Sequence, residues 1–135
     1  MFYDFEITIK AGTTEAAPKE ESFKVTKGVV HYAEVSFPAG CRQYVYLRLF
    51  HLEHQIIPTN RQGSLRGEGY TIPISEHYKL DTAPYIIKAK GWSPSAVYNH
   101  TLTVRIGILR EDELEPLKGL PGMFAKFFKL LGVKA

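Results

Sequence analysis

The sequence predicts an all-β protein: an antiparallel two-sheet β-sandwich or jelly roll of about seven or eight strands, followed by a short C-terminal amphipathic helix. Three observations predict it. Apolar residues recur at every second position in run after run, the spacing that puts side chains on one face of a pleated strand. The runs are separated by turn residues at short intervals. Eight Tyr and eight Phe in 135 residues favour strands over helices. Between the runs no helical period occurs, which excludes the crossover helices of a parallel sheet.

In chain order, residues 2–10 place Tyr3, Phe5, Ile7 and Ile9 on one face and Asp4, Glu6, Thr8 and Lys10 on the other. One face is buried and the other wet. Residues 11–21 are small, polar and Pro-containing, the composition of a loop. Residues 21–27 form a short strand with Phe23 and Val25 inward, closed by Gly28. Residues 29–52, two alternating runs joined by Pro38, Ala39 and Gly40, read as a β-hairpin at the heart of a sheet. Residues 54–69 hold three Gly and one Pro with no sustained period, so they read as a long loop and the first place to look for a contact surface. Ile56 and Ile57 are expected to pin its base to the core. Residues 70–74 and 78–80 read as a short strand and its continuation, and residues 85–92 as a further strand. Residues 99–109 alternate most cleanly, with His100, Leu102, Val104, Ile106 and Ile108 together, and are expected to pair on both sides within a sheet.

The chain therefore divides into a sandwich over 1–110, an acidic then Pro/Gly-rich linker over 111–122, and a helix over 123–132. In that last segment Phe124, Phe127, Phe128 and Leu131 fall at i, i+3, i+4 and i+7, with Lys126 and Lys129 off the stripe and Gly132 as cap. A helix this short is marginal in water and must dock on something. The surfaces that can cover it are its own sandwich, a neighbouring subunit or a lipid bilayer. Three lysines supply little attraction to an anionic bilayer, so membrane contact is the least favoured of them.

Composition limits the function classes. One domain of this size buries roughly two-thirds of its unfolded surface and needs no metal or disulfide. The formal charge of +3 comes from 17 Lys and Arg scattered along the chain, so no nucleic-acid partner is expected. Cys41 is the single cysteine, without a pairing pattern for a nucleophile. The N-terminus lacks the pattern of a signal peptide, and no run approaches the roughly 18 apolar residues of a membrane span.

No catalytic, cofactor-binding or metal-ligating set emerges. His51, Glu53 and His54, with Glu76 and His77, resemble a metal-site fragment, but 51 and 53 face together on a strand while 54 faces away. The Gly-rich stretch 61–69 lacks the Lys-Ser/Thr ending of a phosphate loop, and no helix follows it. Its Arg61 and Arg66 are candidates for contact with an acidic partner surface. Trp92 with Tyr70, Tyr78, Tyr85 and Tyr98 could offer sugar rings an aromatic platform, against the plainer reading of cross-strand packing.

At FPAGCRQYVYLRLFHLEHQIIPTN, GYTIPISEHYKL and HTLTVRIGIL the chain resembles small β-sandwich proteins encoded among tailed-phage virion genes, over about residues 1–110. The resemblance implies a non-enzymatic accessory protein that decorates a capsid or connects parts of the particle. It would act as a homo-oligomer or bind capsid protein, and would reside in the virion or, if not phage-encoded, in the cytoplasm. The partner-binding residues expected from the sequence are Met123, Phe124, Phe127, Phe128, Leu131, Arg61 and Arg66. The alternative is a sandwich module that binds carbohydrate or another extended ligand.

Overall fold

The computed structural model describes residues 1–110. Its nine strands are β1 (Phe2–Ile9), β2 (Lys19–Lys24), β3 (Gly28–Phe37), β4 (Tyr46–His51), β5 (His54–Ile57), β6 (Leu65–Arg66), β7 (Tyr70–Leu80), β8 (Ile86–Trp92) and β9 (His100–Leu109). They form two antiparallel sheets, ordered β1-β9-β3-β7 and β2-β8-β4-β5, with the two-residue β6 also on β4. Apart from β6, the chain changes sheet at every connection except β4 to β5. That order is the double Greek key of a jelly roll.

Each sheet turns its apolar side inward. In β1, Ile7 and Ile9 are buried while Asp4, Glu6 and Thr8 are exposed. β9 runs between β1 and β3 with Leu102, Val104, Ile106 and Ile108 inward, as its alternation predicts. From the other sheet Leu47, Leu49, Ile87 and Ala89 meet them in one cluster. Side chains of that size, fully buried, each contribute on the order of 1.5–3 kcal/mol for the larger ones.

Residues 29–52 are not a hairpin. β3 pairs with β7 and β9, whereas β4 pairs with β5, β6 and β8 in the opposite sheet. Alternation reports which face is buried but not which sheet a strand joins. The connection is also too long for a tight turn: after Gly40 at φ 99°, Arg42 and Gln43 take left-handed φ values of 51° and 61° and carry the chain across.

Residues 54–69 contain two strands rather than a continuous loop. β5 folds back on β4 through a turn at Leu52 (φ 56°) and Glu53. A register shift between Leu49 and Phe50 lets both Ile56 and Ile57 point inward, which erases the period-two signal. The two pieces expected over 70–80 are one strand. β7 carries Pro73 at the rim of the sheet, where a missing N–H is tolerated. A shift between Val30 and Tyr32 moves both of its halves into register with β3.

The linker over 111–122 and the helix over 123–132 lie outside the described residues. Among the described residues no helix is long and apolar enough to cross a membrane.

Candidate functional site

The strand directions gather four connections at one end of the sandwich, residues 10–18, 38–45, 58–69 and 93–99. They are bonded in two pairs, 10–18 with 93–99 and 38–45 with 58–69. Gly12 N–H donates to the Ser93 carbonyl at 3.0 Å, and Ser93 N–H to that of Thr13 at 2.9 Å. Ala11 N–H donates to Asn99 Oδ1 at 2.9 Å. Gln43 N–H reaches the Gly67 carbonyl at 3.2 Å, and Gly69 N–H that of Pro38 at 3.3 Å. The Glu68 carboxylate accepts the backbone N–H groups of Gly40, at 2.7 Å, and Arg42. These two bonds, aided by the Arg42 and His100 charges, hold the Glu68 carboxyl below the usual carboxylate range.

Between the 38–45 and 93–99 connections lies a pocket of about 360 Å³. Its floor includes buried Cys41, whose thiol is pushed up to about 11 by burial and then by the Glu68 charge. Such a thiol stays protonated and is a poor nucleophile. The rim carries Tyr44, Val97 and Tyr98, exposed by 49%, 80% and 74%. Three large apolar groups stand in solvent around one pocket, on loops pinned at the backbone. Scattered exposed apolar residues are ordinary; gathered ones around a concavity mark a contact surface.

A wide, open depression of about 730 Å³ extends from the opposite end along β4 and β5 to Arg61 of the 58–69 connection, lined by residues including His51, His54, Arg61, Tyr78, Asp81 and Thr82. His51 is buried. Its Nε2 lies 3.0 Å and 3.3 Å from the carbonyl oxygens of Thr82 and Pro84, and its Nδ1 2.8 Å from the Tyr78 hydroxyl. With Nε2 facing two acceptors, that nitrogen carries the hydrogen, and in the neutral ring Nδ1 accepts from Tyr78. Burial, reinforced by the Asp81 charge, raises the Tyr78 phenol above its ordinary value. Tyr78 also stacks on His54 with ring centroids 5.7 Å apart. His51 thus holds the 81–84 turn through Nε2 and Tyr78 of β7 through Nδ1. No three His, Cys, Asp or Glu among the described residues come together to hold a metal ion.

The outer face of the second sheet carries a pocket of about 370 Å³ lined by residues including Glu20, Arg48, Phe50, Lys90 and Trp92. The Arg48 guanidinium lies over Trp92 at 4.7 Å, and Tyr46 stacks beside Trp92 at 5.6 Å. Arg48 Nε also donates to the Gly63 carbonyl at 2.7 Å. The five aromatics that the sequence offers as a platform do not gather. Trp92 is buried under Arg48, Tyr78 lies in the far depression, Tyr85 packs on the core, Tyr70 is at the start of β7, and Tyr98 is on the loop rim.

Of the expected partner-binding residues, Arg61 lines the far depression, whereas exposed Arg66 sits in β6 opposite Tyr46, toward the loop end. The structure does not join them in one patch. Met123, Phe124, Phe127, Phe128 and Leu131 lie outside the described residues. The sequence offers Tyr98 as a platform aromatic but does not reveal the rim that it forms with Tyr44 and Val97. Its one signal is an apolar pair, Val97 and Tyr98, inside a turn, where polar residues are the rule.

No protein-family model matches the chain, and no curated protein matches it.

Proposed function

We propose that the chain is a non-enzymatic assembly protein, a rigid jelly-roll body that binds another protein subunit. The setting its sequence resemblance suggests is a tailed-phage virion, as a decoration or connector. The observation that carries this reading is the exposed apolar rim of Tyr44, Val97 and Tyr98 on backbone-pinned loops. A preorganised apolar surface costs little ordering on association. The apolar positions Phe124, Phe127, Phe128 and Leu131 supply a second contact element in the sequence. Exposed Arg66, next to Gly67 that bonds the 38–45 connection, suits an acidic patch on the partner.

The solution mass tests it. Light scattering should give the full chain a mass above that of one copy, and the chain ended after residue 115 the mass of one copy, with the same circular dichroism. Equal masses for the two would overturn the reading.

A further inference from the structure

The direction of β9 fixes where the rest of the chain starts. β9 begins at His100, beside the loop end, and finishes at Leu109, nine steps and about 30 Å away. There Leu109 pairs with Val29, and Ile108 exchanges hydrogen bonds with Met1. The apolar rim and the point from which residues 111–135 depart therefore lie at opposite ends of the body. In order, the departing sequence carries Glu111, Asp112, Glu113 and Glu115, then Gly119, Pro121 and Gly122, then the apolar positions from Phe124 to Leu131.

We propose that copies of this chain join head to tail, with Phe124, Phe127, Phe128 and Leu131 of one copy seated on Tyr44, Val97 and Tyr98 of the next. The inference rests on the assembly reading above and adds the identity of the partner and the polarity of the contact.

Reach favours a second copy. The thirteen residues 110–122 span about 20 Å as a relaxed flexible chain and about 45 Å fully stretched, so a chain reaches its own loop end, about 30 Å away, only with that stretch drawn out along its body. A copy stacked end to end brings its rim to the exit point directly. Chemistry agrees: an aromatic side chain entering the pocket meets apolar rims on both sides. Charge agrees too, because the acidic run that precedes the apolar positions arrives near exposed Arg42 and Arg66. Such a contact joins two different surfaces, so it closes into a ring or continues as a row.

Two full-length variants test the pairing. One, Phe127→Asp with Phe128→Asp, keeps the rim and spoils the tail. The other, Val97→Asp with Tyr98→Ser, keeps the tail and spoils the rim, at positions exposed enough to leave folding intact. Light scattering should find the parent assembled, each variant alone at the mass of one copy, and their equimolar mixture at the mass of two. Tyr44→Ser, on a separate loop, should weaken assembly in the same direction. A mixture that stays at one copy, or a rim variant as heavy as the parent, would overturn the head-to-tail pairing and leave the assembly reading standing. A parent found only as single copies, or a tail variant as heavy as the parent, would overturn both.

Discussion

Glu68 and Gly40 are joined across two connections of the sandwich: the Glu68 carboxylate accepts the Gly40 backbone N–H at 2.7 Å. The same carboxylate accepts from the Arg42 N–H. One side chain thus satisfies two donors in a segment whose left-handed residues are unable to pair with a neighbouring strand.

That arrangement makes the loop end sensitive to acid. The folded protein holds Glu68 below its ordinary value, so its contribution is whole above about pH 4.3 and fades as the pH falls through the lower folded value. Glu68→Gln should melt at a lower temperature than the parent at pH 7, and the gap should close as the pH is taken toward 3. Calorimetry across that range checks it; a gap that widens on acidification would contradict the sign.

Cys41 shares this carboxylate as a neighbour. With its thiol pushed up to about 11, the thiolate fraction at pH 8 falls roughly a hundredfold or more below that of a free cysteine. Labelling by iodoacetamide at pH 8 should be correspondingly slow in the folded protein and ordinary in urea. Glu68→Gln should label faster than the parent, since it removes one of the two causes and loosens the loop above the thiol.

Gly91 lies beneath Ile9. A Cβ at Gly91 would overlap Ile9 Cδ1 and fall 3.3 Å from the Tyr46 carbonyl oxygen, and Ile9 is fully buried. Gly91→Ala should therefore cost on the order of 1–3 kcal/mol by overpacking. Ile9→Val removes the clashing methyl. In the double variant the two losses should sum to less than their separate values, which urea denaturation of all four proteins measures.

His51 is buried with three hydrogen-bonding neighbours. His51→Leu leaves the Tyr78 hydroxyl and the Thr82 carbonyl short of a partner, at a cost of about 1–3 kcal/mol. Tyr78→Phe removes one hydroxyl from an otherwise intact contact and should cost about 1 kcal/mol. Should the two substitutions prove equally harmful, the turn at 81–84 is not held through the Nε2 side of the ring.

The faces of the strands were legible from alternation alone: β1 and β9 bury the residues their spacing selects. Pairing was not. The 29–37 and 44–52 runs look like neighbours because they are adjacent in sequence and equally apolar, yet the jelly roll sends them to opposite sheets. β5 was hidden for a local reason, since the register shift beside Leu49 turns two consecutive isoleucines the same way and breaks the period. The loop rim was hidden for a different one. Its members come from connections about fifty residues apart, Tyr44 on one and Val97 and Tyr98 on the other, and only the folded topology makes them neighbours.

Pro73 stands in the outermost strand of the four-stranded sheet. Having no hydrogen to offer an arriving strand, it spoils that flank as a template for ribbon growth between molecules. Crowded copies that approach on that side meet a surface that refuses to zip.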